Sequence, residues 1–396
     1  PEPRHRHLSC SSTLAPMPTI RDIAQPLEAW APPGSAQDYD NVGLQVGDAG
    51  RDIDRALIAL DCTPQVLDEA LEMGAQLIIS HHPLIFRRLS SVTADGFVSN
   101  LALRLAEAKI ALYSIHTNLD ATPGGVSFAL AEQLGLTGID LLDGFDESML
   151  KLVTFVPDDT FEDVRSALAE AGAGRIGDYD ACAFASDGTG YFQPGDAADP
   201  HIGTAGGDLQ SVAERRIEAQ VERWNLRRVL SALHDAHPYE EVAYDVYPLQ
   251  GKTSQAGLGA VGTLDTPLPM PDFLARVQSR LDAGSLRWAG DPDATVERVA
   301  VCGGAGSDFI RTARGAGADA YVTSDITYHQ FFDVLDNDGT PKMAVIDAGH
   351  YETEAITEQL LRDYLAERFP DVSFERTRHR TSPMRTFTGA KQSLST

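Results

Sequence analysis

Residues 76–83 read QLIISHHP: a short apolar run ending at Ser80, then two imidazoles, His81 and His82. A run this short and this apolar predicts a strand buried on both faces, the pattern of a parallel sheet covered by helices. In open parallel sheets, ligand sites lie beyond the carboxyl ends of the strands, where His81 and His82 would stand. The same rhythm extends outward. ALIA at 56–59 and IALYSI at 110–115 read as strands, with helices expected at 63–73 and 98–108. It returns at 297–302 (ERVAVC), 318–323 (ADAYVT) and 343–347 (MAVID), with helices expected at 308–314 and 355–368.

The stretch between differs. A strand is expected at 152–156 (LVTFV) and a helix at 161–171, followed by a polar, Gly-rich stretch at 173–209. A strand at 217–221, a helix at 225–234 and an alternating strand at 241–246 complete it. A β-α-β-β-α-β order suggests a ferredoxin-like unit. Gly144 precedes it and the Gly/Ser-rich stretch 251–262 follows. The expected fold class is α/β: a discontinuous three-layer domain with a parallel-rich sheet, over 17–147 and 251–396. An inserted ferredoxin-like α+β domain interrupts it at 148–250. Residues 1–16 are basic but lack an apolar core, so they read as a disordered leader rather than a secretory signal.

The 396 residues suffice for two or three domains and a sizeable core. With 43% hydrophobic and 23% charged residues, disorder is excluded as the main state. Asp and Glu number 58 against 32 Lys and Arg, a formal net charge of -26. Such a surface repels phosphate backbones and anionic lipid, so direct nucleic-acid binding is not expected. No apolar run is long enough to span a bilayer. Cys10, Cys62, Cys182 and Cys302 are scattered and form no CxxC pair, which fits buried thiols in a reducing, cytoplasmic setting.

Three further groups carry chemistry. His116 and Asp120 follow the strand-like run in SIHTNLDATPGG, a mixed set that suits a metal, although Asp120 or Thr122 could instead cap a helix. His350 and Glu354 follow MAVID, and a spacing of four puts them on one helical face. Asp325 and His329, in VTSDITYHQ, share that spacing and read as acid/base residues or as supports for the ligands. Each group follows an expected strand, so all could converge on one edge of one sheet. His81, His82, Asp120, His350 and Glu354 then form a nitrogen and carboxylate set, with His116 nearby. Five ligands exceed one tetrahedral site, and two metals fit better; such pairs sit about 3.5–4 Å apart. Zinc, iron, manganese or nickel would all be accepted. Asp40 and Asn41, in YDNVGLQVGD, are placed to face the pocket. Gly303–Ser307 reads as a strand-to-helix turn, and His234, His237, Glu240 and Glu241 as structure of the insert.

Together, YDNVGLQVGD, ISHHPLIF, SIHTNLDATPGG, VCGGAGSD, VTSDITYHQ and IDAGHYETE resemble, in this order, the GTP cyclohydrolase I type 2 homologue family of dinuclear metal-centre proteins, also called NGG-interacting-factor-three-like. The resemblance implies a two-metal site on His81, His82, Asp120, His350 and Glu354. It also implies a hexamer, a dimer of trimers. HPYEEVAYDVYPL resembles the PII/CutA-like insert of longer members. The expected function is a metal-dependent hydrolase acting on a nucleotide or related small molecule. The alternative is a non-catalytic metal-binding assembly: a buffer, chaperone or regulatory scaffold.

Overall fold

The computed structural model describes residues 17–146, 148–177 and 179–387; the expected leader and Cys10 lie outside them. Strands β1 (Gly43–Val46), β2 (Arg55–Ala59), β3 (Leu77–Ser80) and β4 (Ala111–Ser114) occupy the first third of the chain. β2, β3 and β4 run parallel, pairing Ile58 with Ile79 and Ile79 with Tyr113. Their residues are buried almost throughout, as the continuous apolar runs require. Helices Pro64–Met73 and Phe97–Ala108 supply the crossovers. Thr63 caps the first by accepting from the Val66 amide, and Gly74, at φ 68°, ends it.

β5 (Leu136–Asp146) leads into β6 (Met149–Pro157), β7 (Ala183–Phe192), β8 (Gln210–Glu222) and β9 (Tyr244–Pro248). Then come β10 (Lys252–Pro269), β11 (Arg287–Ala289), β12 (Thr295–Ala305), β13 (Ala320–Ser324), β14 (Ala344–Asp347) and β15 (Ser373–Arg376). They form three sheets, ordered β1-β4-β3-β2-β15, β11-β14-β13-β12-β10-β5 and β7-β8-β6-β9.

The α/β class holds, but the single parallel-rich sheet is replaced by two. The second sheet keeps β12, β13 and β14 parallel and adds β10 and β5 antiparallel on one side. This closure went unread because β5 and β10 are interrupted by Gly and Asp. Gly257, Gly259 and Gly262 belong to a strand pressed on neighbouring backbones. A Cβ on Gly257 would lie 2.2 Å from the Asp143 carbonyl oxygen. Helix Val126–Leu134 joins the two cores. Val126 packs with Ile58 and Leu361, and Leu130 and Leu134 pack with Phe273 and Val301.

The third sheet is antiparallel throughout and is connected β-α-β-β-α-β. Helices Phe161–Glu170 and Leu226–Ala236 cover one face, packing Val164, Leu168, Val229 and Leu233 on Leu152, Val156 and Ile217. β7 falls within the stretch read as a polar, Gly-rich segment. Its side chains are almost all exposed, so no buried alternation betrays it.

One buried carboxylate ties the first sheet to the C-terminal helix Ile356–Arg368. Glu358 is 7% exposed and accepts from the Leu60 amide at 3.0 Å. Burial raises its pKa, the Leu60 N–H and Arg376 oppose this, and the outcome is about 7. A carboxylic acid raised above its usual 4.5 is more protonated in the folded chain than in the unfolded one. Stability therefore declines as pH rises from about 4.5 through about 7. Glu358→Gln keeps the acceptor for Leu60 and removes the ionisation. Thermal unfolding in chelator should show the variant's Tm well above the parent's at pH 8, with a narrow gap at pH 5. An equal gap at both pH values would refute this account.

Candidate metal centre

The two parallel strand sets present their carboxyl ends to each other, and the site lies between them. After β3 the chain turns so that the His81 and His82 amides donate to the Ala59 and Leu60 carbonyls beyond β2. After β4, His116 precedes the short helix Thr117–Asp120. After β14, Gly349, at φ 97°, turns the chain into helix His350–Glu354. His81, His82, His116 and Asp120 thus come from one sheet, and His350 and Glu354 from the other. Convergence across two sheets corrects the expectation of one shared edge.

Four imidazoles are tied down at Nδ1. His81 Nδ1 meets the Ile115 carbonyl at 2.8 Å, and His82 Nδ1 meets Asp61 Oδ1 at 2.8 Å. His116 Nδ1 meets Asp40 Oδ1 at 2.9 Å, and His350 Nδ1 meets Asp325 Oδ2 at 2.7 Å. With Nδ1–H donated outward, Nε2 is the nitrogen left to face the site, the usual arrangement for ligating histidines. The rings of His81, His82 and His116 lie 5.1–5.4 Å apart, and His82 to His350 is 5.3 Å.

Glu354 sits at the centre, 3% exposed. Its Oε1 lies 3.8 Å from His81 Nε2, and its Oε2 lies 2.9 Å from His82 Nε2 and 3.2 Å from His350 Nε2. His81 Nε2 and Asp120 Oδ1 are 3.6 Å apart, buried, and without a hydrogen-bond partner. Two such buried, unpartnered polar atoms are unfavourable unless a proton or a cation stands between them. Among the described residues, three overlapping donor sets could hold a metal ion: His81, His82, His116; His82, His350, Glu354; and His81, Asp120, Glu354. Within each set the donor atoms lie within 4.8 Å of one another.

The electrostatics follow from burial and pairing. Burial lowers the pKa of fully buried His81 and pushes Asp120 well above the carboxylate range. Burial also raises Glu354, but hydrogen bonds from His350 and His82 prevail and hold it well below its usual value. For His82 and His350, burial favours the neutral ring. Asp61 and Glu354 outweigh it at His82, at about 10, and Glu354 and Asp325 at His350, at about 9.

The other sequence candidates separate clearly. Asp325 supports His350 and holds a left-handed backbone, φ 56°. His329 is exposed, edge-on to Tyr328, and does not join the cluster. Asp120 ends its short helix instead of capping the next, which begins after Gly125 with no side-chain cap. Asn41 Nδ2 donates to the Ile85 carbonyl. His237 bridges the Phe155 carbonyl and the Tyr239 amide, so its role is structural. Cys62 and Cys302 are buried thiols pushed up to about 12, chiefly by burial. A cavity of about 780 Å³ lies on the third sheet, by Phe192, Glu214 and Tyr239, and shares no residue with the cluster.

Sequence reasoning missed Asp61 outright and read Gly304 only as part of a strand-to-helix turn. Asp61 follows β2 just as His81 follows β3, and that strand-end position was the available signal. Gly304 lies against Glu354: a Cβ there would be 2.1 Å from Oε1 and 3.3 Å from His350 Cε1. Its φ of 60° also suits glycine.

Two outcomes follow. Gly304→Ala should displace Glu354, and elemental analysis after dialysis should find less metal per chain than in the parent; parent-level retention would contradict the packing. Cation binding to His82 and His350 must displace their protons, so affinity should rise with pH up to about 9–10. Titration calorimetry at pH 7 in buffers of different ionisation enthalpy should report proton release. Buffer-independent heats would refute it.

The sequence profile of the family described as Duf34/NIF3 (NGG1p interacting factor 3) matches residues 18–383. A Bacillus subtilis protein named GTP cyclohydrolase 1 type 2 homolog is 39% identical over 343 residues, covering 86% of this chain and 91% of its own. A Mycobacterium tuberculosis protein of the same name is 39% identical over 339 residues, covering 85% and 88%. The crystal structure of a Bacillus cereus protein related to NIF3 superposes with a TM-score of 0.77 at 38% identity, covering 94% of this chain and all of that one. The chain belongs to the Duf34/NIF3 family.

Proposed function

We propose that the centre holds two divalent cations per subunit and hydrolyses a nucleotide or related small molecule. One observation carries the reading: the two oxygens of Glu354 serve different donor groups, Oε1 the His81–Asp120 side and Oε2 the His82–His350 side. A carboxylate so placed would bridge two cations. The nitrogen and carboxylate donors suit zinc, iron, manganese or nickel. Bound there, such ions would polarise the group under attack and lower the pKa of water towards neutrality.

The chain's own residues orient and gate. His81 and Glu354 form a buried floor, whereas the His82, His116 and His350 side chains are 23%, 17% and 31% exposed. A substrate would enter from that side. His116, fixed by Asp40 at Nδ1 and beside the His81 and His82 donors, is placed to hold or pass a proton. Asp325 fixes His350, which favours a positioning role over a shuttle. The names of the relatives make GTP ring opening the first reaction to try.

The non-catalytic assembly stays in view because half of the donor set is buried. The same reading takes 148–250 as a PII/CutA-like insert within 17–147 and 251–396. It assembles the chain as a cytoplasmic hexamer, a dimer of trimers. The separate core of the four-stranded sheet supports the insert. Sedimentation as a monomer would remove the hexamer. No described helix is long and apolar enough to cross a membrane.

Metal-loaded parent should convert GTP, and His350→Ala should lose that turnover, with products resolved by chromatography. A parent inert on GTP and on a panel of nucleotides, phosphoesters and amides would sink the hydrolase reading and favour the non-catalytic one.

A further inference from the structure

The chain leaves β15 at Arg376 and crosses back over the end of β2 to the centre. Its course is pinned at several points. The Thr377 amide donates to the Ile58 carbonyl at 2.8 Å, and Thr377 Oγ1 donates to Glu69 Oε2 at 2.6 Å. Arg378 Nε donates to Glu69 Oε1 at 2.8 Å, and Glu69 is only 5% exposed. The Arg380 guanidinium pairs with Glu352, inside the helix that carries His350 and Glu354, and lies 4.4 Å from the Tyr351 ring centroid. Thr381, 9% exposed, then donates from Oγ1 to Asp61 Oδ2 at 2.6 Å, while Asp61 Oδ1 holds His82 Nδ1 at 2.8 Å.

The same three-residue chain occurs once more at the site. Thr117 donates to Asp40 Oδ2 through both its amide and its hydroxyl, and Asp40 Oδ1 holds His116. There the threonine is the histidine's neighbour in sequence. At His82 the threonine comes from 320 residues away from its aspartate. Among the described residues, Thr381 is the hydrogen-bond donor to Asp61 Oδ2.

We propose that the C-terminal strap, residues 377–381, sets the hold of the His82 side of the centre on its cation, with Thr381 acting as a positioning residue through Asp61. This rests on the two-cation reading. A carboxylate held at one oxygen cannot rotate about its Cβ–Cγ bond without breaking that bond. Its other oxygen therefore stays on His82 Nδ1, and the imidazole stays aimed. Loss of such supports costs roughly 10–100-fold in metal affinity when they touch the ligand itself. Thr381 stands one step farther out, so an effect on the order of tenfold is expected.

The test is a competition titration of the chelator-stripped full chain with zinc against a chromophoric chelator, resolving two binding steps. Thr381→Val should weaken one step about tenfold and leave the other within about twofold, and Thr381→Ser should restore it. Asp61→Ala should weaken the same step, and adding Thr381→Val to it should change that step no further, because the two act as one path. If the valine variant does not fold, Thr381→Ala removes the hydroxyl without adding a methyl group and carries the same expectation. Parent-like affinity at both steps, or effects that add in full to those of Asp61→Ala, would overturn the proposal. A parent that binds no zinc would overturn the metal reading itself, a result distinct from two intact steps in the variant.

Discussion

The Glu354 carboxylate, buried between the ends of two sheets, is the constraint on which the site depends. It faces His81 and His82 from one sheet and His350 from its own helix. A buried carboxylate is tolerated only where charge or hydrogen bonds answer it. Here the answer comes from residues far apart in sequence, so the two sheets must close at one spacing for it to be given. Gly304 shows how tight that spacing is, since its missing side chain is the room Glu354 occupies.

The surroundings serve this arrangement. Helix Val126–Leu134 belongs to both cores and so fixes how the sheets meet. Glu358 ties the end of β2 to the C-terminal helix, and the strap beyond β15 reaches Asp61. These contacts join residues about 300 positions apart in sequence, so the site is complete only when both sheets are in place.

Much of this was legible in the sequence, for a physical reason. Strands buried on both faces must be apolar throughout, so QLIIS, IALYSI and MAVID announce themselves, and polar residues just beyond them stand out. His350 and Glu354 were readable because helical periodicity is local. Sheet membership was not, because β5 and β10 carry glycines and aspartates where backbones crowd together. β7 was hidden by its exposure. Asp61 and Thr381 act through pairing across the fold, and no local pattern encodes that.

The two halves of the donor set differ in how the chain is satisfied without a cation. On the His82–His350 side, protons shared with Glu354, Asp61 and Asp325 complete the hydrogen bonds, and the raised histidine pKa values express this. On the His81–Asp120 side Nε2 and Oδ1 are buried without a hydrogen-bond partner, and the raised pKa of Asp120 expresses the cost of charging it there. Each such orphan costs about 1–3 kcal/mol. A cation on that side would relieve an existing penalty as it displaces the Asp120 proton, whereas on the other it displaces protons already held in hydrogen bonds. Affinity on both sides is therefore coupled to pH, and on the first also to folding, with one carboxylate serving both. The buried half suits retention and the exposed half suits exchange with what enters from solvent.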